Sequence, residues 1–390
     1  MSTREILIIH LSDMHLFVDE HGRTRPPDDV ARVVKAAEYA ARRIAPKLLN
    51  DLVSGLNRHS RRALHALWRT LDTIIANTSE GRTIVLAQTG DVEAYGGRRL
   101  DDGYDFPGYD YLAEEIANRT GKGKVAKHIG KSIKMSCHVY GNHDVWPSTF
   151  PLAARPKSCH RAALDLMNHP LFADPMPRAK RFDDNHIGFE FYSINTVTYN
   201  RRPNAWAQGN FLPNDPRSPG KFFRHKETTL LDELKIPRNR HERATIRFML
   251  VHHPPHFFAA TGHWKDCLAG PITDVDLLQQ VLAKHRFHFI LAGHRHLADP
   301  ATGVTLRPRA TGPGRPQHPL LRNTVQLVTG TPTQKGAEPA MFSVYRVQVD
   351  ADEHGEGHVD LHRTIYTFDG RSRLFDSHPT ERIVHGMSIK

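Results

Sequence analysis

Cysteine is scarce. The chain has three in 390 residues (Cys137, Cys159, Cys267), an odd number with no CxxC spacing. That excludes a disulfide-stapled scaffold and a thiolate zinc site, and makes a reducing, cytoplasmic setting the expectation. No apolar run approaches the ~18 residues that a helical membrane span needs. The apolar stretch at 6–9 is too short for the core of a cleavable signal and leads straight into polar residues, so neither a span nor a removed leader is expected. Internal repeats, heptads and low-complexity tracts are missing as well, which sets aside repeat and coiled-coil architectures. With 39% hydrophobic and 24% charged residues, the chain is too apolar for disorder and can bury a sizeable core.

What is present points to anions and to metal or acid–base chemistry. Fifty-three Lys and Arg against 42 Asp and Glu give a net charge of +11, which favours phosphate esters, nucleotides or nucleic acid as partners. Histidine is abundant, 27 of 390 residues, and imidazole is the commonest metal ligand and the usual acid–base near neutral pH.

Segments 5–11, 82–87, 135–140, 189–195, 246–251 and 287–291 are short, lack clean alternation and are rich in Ile, Val, Leu or Phe. Buried strands of a layered sheet read this way. Between them, Leu64, Leu67, Trp68, Leu71, Ile74 and Ile75 keep a helical stripe. Val30, Val33, Val34 and Ala37 begin another after Pro26-Pro27-Asp28-Asp29, and 276–283 is a third. The alternation predicts an α/β layered architecture. Residues 297–322, rich in Pro and Gly, read as a long loop. Strands are expected at 324–328, 341–349 and 359–367, with a turn at 350–357. The chain is therefore expected to be one domain over 1–390, with a helical insertion at 18–80 and a β-rich C-terminal segment at 323–390 that completes the core.

Five polar clusters carry the chemistry, most of them where an apolar strand stops: Asp13-x-His15, Gly90-Asp91, Gly141-Asn142-His143-Asp144, His252-His253-Pro254 and Gly293-His294-Arg295-His296. Loops beyond the C-terminal ends of strands converge on one face of an α/β sheet, so clusters far apart in sequence should meet. Pooled, they offer carboxylates, an amide oxygen and imidazoles without sulfur, a set that suits Mn, Fe, Zn or Co. In extended backbone, Asp13/His15 and His294/His296 would each face one side. Two such pairs could hold two metals about 4 Å apart, the spacing that clamps a phosphoryl group.

The ordered set DxH, GD, GNHD, HxP and GHxH resembles the calcineurin-like metallophosphoesterase superfamily, over Asp13 to His296, about three quarters of the chain. One such motif alone means little; all five in order are specific. The resemblance implies an α/β fold of the four-layer αββα sandwich type, here with the helical insertion near the N-terminus, and a centre of two divalent or mixed-valence metal ions. By position, Asp13, His15, Asp91 and His296 would hold one metal. Asp91, as a shared carboxylate, with Asn142, His252 and His294 would hold the other. His143 would protonate the leaving oxygen or steady the transition state, with Asp144 orienting it. The implied reaction is hydrolysis of a phosphate diester by attack of a metal-bridging hydroxide.

Other residues have plainer readings. His10 reads as a packed strand histidine, and His252 is preferred over His253 as the ligand of its motif. Gly130-Lys131-Ser132 is not a phosphate-binding loop, since Val125 stands where that motif needs glycine. Lysines 122, 124, 127, 131 and 134 read as a solvated face at the sheet edge remote from Asn142. Where many superfamily members carry Asp or Asn three residues after the GD aspartate, this chain has Ala94. Leu16 after His15, and Asp144 rather than Glu, set aside the protein serine/threonine phosphatase branch. The pattern from His10 to Leu16, GNHD and a C-terminal β segment together resemble the class III cyclic-nucleotide phosphodiesterases, as does the 189–195 strand followed by Gly209 and a helix near 227–234. The implied substrate is a cyclic nucleotide or similar small phosphodiester. The alternatives are a DNA- or RNA-cleaving enzyme resembling the SbcD-type nucleases, with nucleic acid as partner, and a non-catalytic scaffold. A homo-oligomer is compatible with all three.

Overall fold

The computed structural model describes residues 2–16, 60–94, 97–145, 156–172, 178–184, 187–197, 244–255, 278, 281–282, 285–296, 304–305, 324–333 and 339–389. The helix expected after Asp29, Gly209 with the helix near 227–234, most of 276–283 and nearly all of the 297–322 loop lie outside these residues.

One sheet has the order β14-β13-β12-β1-β2-β5. Its strands are β1 (Ser2–Leu11), β2 (Thr83–Thr89), β5 (Met135–Val139), β12 (Met341–Ala351), β13 (Gly357–Asp369) and β14 (Leu374–Ser377), and β15 (Glu381–Ile389) also pairs with β13. β1, β2 and β5 run parallel, whereas β12 to β15 form antiparallel ribbons. The second sheet has the order β10-β11-β9-β8-β7-β6. It comprises β6 (Arg178–Asp184), β7 (Ile187–Ser193), β8 (Ala244–Leu250), β9 (Phe289–Ala292), β10 (Val304–Thr305) and β11 (Val325–Val328), parallel except for the two edge strands. β10 is a short strand inside the stretch read from sequence as loop. A two-residue ribbon, β3 (Arg98–Arg99) with β4 (Tyr104–Asp105), stands apart.

The sheets face each other across an apolar interior. Ile6 and Ile8 of β1, Val85 and Ala87 of β2, and Val139 of β5 meet Phe191, Phe248, Leu250, Phe289 and Leu291. The rings of Phe191 and Phe248 stack at 4.5 Å, and those of Phe248 and Phe289 at 5.1 Å. Alternate residues Leu7, Ile9 and Leu11 point the other way, into a cluster with helix α1 (Arg61–Asn77), α2 (Pro107–Arg119) and α4 (Pro156–Met167). On the far side of the second sheet, Met249, Val251 and Ile290 pack on the helical residues Leu278, Val281 and Leu282. Helices, sheet, sheet and a helical segment make the four-layer αββα sandwich. Each central strand is covered on both faces, which is why the sequence shows apolar runs and not alternation.

α1 carries the stripe read from sequence. Ser60 caps it by accepting from the Ala63 N–H at 3.2 Å, and Leu64, Leu67, Trp68 and Leu71 are buried. Within the 18–80 stretch expected as a helical insertion, residues 61–77 form a core helix between β1 and β2, and residues 17–59 lie outside the described residues. α2 and the short α3 (Lys124–Ile129) lead to β5; Gly130 closes α3 in the left-handed conformation at φ 74°, a role unrelated to phosphate. Among the basic run, Lys131 Nζ donates to the carbonyls of Ala76 and Thr78 at the C-terminal end of α1, where positive charge is favoured. No described helix is long and apolar enough to cross a membrane.

Candidate metal centre

The five clusters meet where strands of the two sheets end. The exits of β1 and β2 stay zipped: the Asp13 N–H donates to the Gly90 carbonyl at 2.9 Å and the His15 N–H to the Asp91 carbonyl at 2.9 Å. Gly293 N–H donates to the His252 carbonyl at 3.1 Å, and Asp13 Oδ2 accepts from the His294 N–H at 2.8 Å, which ties the exits of the two sheets together. Two glycines make this approach possible. Gly90, at φ 99°, has no room for a Cβ, which would collide with His252 Nδ1 and lie 2.7 Å from the Gly141 nitrogen. A Cβ on Gly293 would collide with Ser12 Oγ and lie 2.7 Å from Asp13 Oδ2.

The expectation of extended backbone at these pairs needs correction. Asp13, His15, Asp91, His294 and His296 all lie at positive φ, between 45° and 73°. They are five of the seven non-glycine residues with positive φ among the described residues, so this strain is concentrated at one place. A left-handed residue turns the chain back sharply, which brings side chains two apart around one point without a strand. It also splits His294 from His296. Oxygen or nitrogen atoms of Asp13, His15, Asp91 and His296 lie within 4.8 Å of one another, and those of His252, His253 and His294 form a second such group.

The donor atoms are spaced as ligands of common ions would be. His15 Nε2 and His296 Nε2 are 3.1 Å apart, and His296 Nε2 is 3.4 Å from Asp13 Oδ1. His252 Nε2 lies 3.0 Å from Asn142 Oδ1, 3.2 Å from His294 Nδ1 and 3.3 Å from Asp91 Oδ2. Atoms bound to one ion at roughly 2.0–2.2 Å are necessarily about 3 Å apart. Each carboxylate is anchored by one oxygen: Asp13 Oδ2 to the His294 N–H, and Asp91 Oδ1 to the His143 N–H at 2.9 Å. The other oxygens, Asp13 Oδ1 and Asp91 Oδ2, are buried and make no hydrogen bond of adequate geometry. Buried carboxylate oxygens in that condition call for a cation. His252 Nδ1 donates to the Thr89 carbonyl at 2.7 Å, which turns Nε2 toward Asn142, His294 and Asp91. The residues present fit metal binding: Asp13, His15, Asp91 and His296 form one group able to hold an ion, and His252, His253 and His294 a second, with Asn142 Oδ1 and Asp91 Oδ2 beside His252 Nε2.

Burial opposes charge throughout this region, and the carboxylates overcome it where they have imidazole partners. Burial would raise Asp13, but the His296 imidazole, 3.4 Å from Oδ1, holds it down at about 2. Burial likewise opposes the ionised form of Asp91, yet His252 and His143 keep it well below the usual carboxylate range. Burial would lower His252, and the charges of Asp91 and Asp13 instead raise it to about 9. For His15 the balance goes the other way: burial, then repulsion by His143 and His296, outweighs the charges of Asp91 and Asp13 and lowers it to about 3.

His143 lies beside Asn142, edge-on to His15 at 4.8 Å between ring centroids. Its Nδ1 is 3.2 Å from the Ala94 carbonyl, which can only accept, so the proton sits on Nδ1. Asp144 is placed differently from the expectation that it orients this imidazole. Its Oδ2 accepts from the N–H groups of Asp91 (2.8 Å) and Gly141 (2.7 Å) and from the Tyr109 hydroxyl (2.7 Å), and Oδ1 accepts from the Glu93 N–H at 2.7 Å. Asp144 thus pins the turns that carry Asp91 and Asn142, and a main-chain carbonyl holds His143. Ala94, which departs from the superfamily pattern in its side chain, contributes through its backbone.

Several supporting residues escaped sequence reasoning. Glu93 caps α2 from a distance, accepting from Gly108 N–H at 2.7 Å, and burial beside Asp144 raises it to about 8. Tyr109, Thr89 and Thr196 belong to no motif; only their position next to the clusters after folding marks them. His10 is packed as expected, with Nε2 2.9 Å from Thr89 Oγ1.

The sequence profile described as calcineurin-like phosphoesterase matches residues 6–298. The chain belongs to the calcineurin-like phosphoesterase family. Among solved structures it is similar to the purple acid phosphatase PPD1 isolated from yellow lupin (Lupinus luteus) seeds, at 12% identity and a TM-score of 0.44, with 96% of this chain and 53% of that chain covered. It is also similar to wild-type Vps29 complexed with zinc from Entamoeba histolytica, at 8% identity and a TM-score of 0.29, with 97% of this chain and all of that one covered. The chain spans about half the length of the lupin phosphatase. Comparison with curated proteins finds no match.

Proposed function

We propose that this protein is a metal-dependent phosphoesterase that hydrolyses small phosphate diesters, cyclic nucleotides among them. One observation carries the metal centre: Asp91 belongs to the group of Asp13, His15 and His296, while its buried Oδ2 lies 3.3 Å from His252 Nε2 of the other group. Bound there, two ions would neutralise phosphoryl oxygens and lower the pKa of nearby water. Asp13, His15, Asp91, Asn142, His252, His294 and His296 would hold them. Family membership supports phosphoester hydrolysis.

His143 is the proton donor in this reading. Its Nδ1 is committed to the Ala94 carbonyl and its backbone N–H to Asp91, so Nε2 can deliver a proton to the leaving oxygen without entering the ligand set. Asp144 acts through the turns it pins, keeping Asp91 and Asn142 in register. The preference for diesters rests on the run from His10 to Leu16 together with GNHD, and the charge of +11 suits an anionic substrate. A cytoplasmic location fits the low cysteine content.

The test is a substrate panel with added Mn: bis-p-nitrophenyl phosphate, p-nitrophenyl phosphate, cyclic AMP, cyclic GMP and single-stranded DNA. Diesterase activity that chelation abolishes and Mn, Co or Fe restores is the expected result. Preference for the monoester would remove the diester reading. DNA cleavage exceeding that of the small diesters would replace it with the nuclease, and no hydrolysis of any member by metal-loaded protein would leave a scaffold.

A further inference from the structure

His253 follows a proposed ligand, yet its surroundings give it a task of its own. It is completely buried at the exit of β8. Thr196, just beyond β7, accepts the His253 backbone N–H at 3.2 Å, and its Oγ1 lies 2.9 Å from His253 Nδ1. The other ring nitrogen, Nε2, is buried without a hydrogen bond. The His253 ring lies against that of His294, 4.5 Å between centroids and tilted by 52°, and their nitrogens fall in the group that spans no more than 4.8 Å.

His294 presents Nδ1 toward His252 Nε2 and so toward the second ion of the proposed site. A neutral imidazole that gives its Nδ1 lone pair to an ion must carry its proton on Nε2. His253 can receive that proton's hydrogen bond only if its own Nε2 is bare, which places the His253 proton on Nδ1, facing Thr196 Oγ1. Oγ1 has two lone pairs, enough for both the His253 backbone N–H and Nδ1–H. Donation would then run in one direction, from His294 Nε2–H to His253 Nε2, two buried atoms that do not hydrogen-bond each other as the rings stand, and from His253 Nδ1–H to Thr196 Oγ1.

We infer that His253, held by Thr196, is a positioning residue that fixes the tautomer and orientation of His294 for the second metal ion. Resting on the metal-site reading, it adds an outer partner to a ligand whose motif alone does not reveal one. Such partners typically change metal affinity by 10–100-fold.

The experiment measures ion affinity, apart from turnover, by titrating Co or Mn into the metal-depleted full chain and its variants and counting bound ions. His253→Phe keeps ring shape and removes the acceptor; it should weaken the second ion by about 10–100-fold and leave the first unchanged. His253→Gln restores an acceptor and should recover most of that loss. Thr196→Val should weaken the second ion in the same direction by less, and it decides the matter if His253→Phe does not fold. Wild-type affinity for the second ion in His253→Phe or, failing its folding, in Thr196→Val would overturn the inference. A Gln variant as weak as Phe would also overturn it, pointing to direct ligation. Wild-type protein that binds fewer than two ions would instead refute the metal-site reading beneath it.

Discussion

The space between the two sheets and the edge where their strands end are a few residues apart and built on opposite terms. Between the sheets, Ile6, Ile8, Val85, Phe191, Phe248 and Phe289 lie on regular strands and bury apolar surface. Fully burying each such side chain contributes about 1.5–3 kcal/mol. Just past the strand ends, Asp13, His15, Asp91, His294 and His296 take left-handed backbone, and the Asp13 and Asp91 carboxylates are buried with one oxygen each unbonded. Such backbone costs of order 1–3 kcal/mol per residue and survives only where its surroundings fix it. The regular interior supplies the stability, and the edge holds strain and charge in positions that an ion would relieve. Changes in the interior should therefore alter folding and spare the chemistry; changes at the edge should do the reverse.

The comparison is broken most severely at the edge by Asp91→Ala. One carboxylate is asked to serve both ions, so metal content should fall toward zero and diester hydrolysis by about 10³-fold or more, measured by elemental analysis and initial rates. Two ions retained would show that the carboxylate is not shared. Next comes His143→Ala, which should keep its ions and much of its substrate affinity while kcat falls by about 10²–10⁴-fold. The loss should shrink for a p-nitrophenolate leaving group, which needs no proton; an equal loss on a ribose hydroxyl would indicate charge stabilisation instead.

In the interior, Phe248→Ala removes the middle ring of a stacked row and should cost about 3–5 kcal/mol in denaturant unfolding. The protein that remains folded should bind the same number of ions, and loss of metal at that position would erase the contrast between the two regions. Tyr109→Phe sits on the boundary and has the smallest expected effect. Removing the hydroxyl that donates to Asp144 Oδ2 should cost about 1–3 kcal/mol, because a buried acceptor loses a partner. It should lower kcat only modestly, since three backbone N–H groups still hold Asp144.

The sequence made the interior and the ligands legible for different reasons. Strands covered on both faces leave apolar runs, and their predicted ends fall near those observed, as with 5–11 against Ser2–Leu11. Helix α2 was not legible because its cap comes from Glu93, fifteen residues before Gly108, and no Ser, Thr, Asp or Asn stands at its start. α4 was missed because it packs through small residues, Ala162 and Ala163, whose apolar signal is weak. At the site, motif order identified the side chains that come together, but not how they do so. Left-handed backbone at His15 or His296 has no sequence mark, since glycine is the usual occupant. The Nδ1 partner of His143 is a carbonyl, which every residue possesses, so no residue type could have announced it. Asp144 was legible as part of a motif and misread in its contacts for the same reason.

The central claim is that the strand exits hold two metal ions through a shared Asp91. Its most direct measurement is the number of ions per chain, by elemental analysis of the full chain after depletion and reloading with Mn, Fe, Zn or Co, followed alongside diester hydrolysis. The account predicts two ions per chain, with activity appearing as the second is bound. A single ion at saturation, or activity that persists in depleted protein, would contradict it.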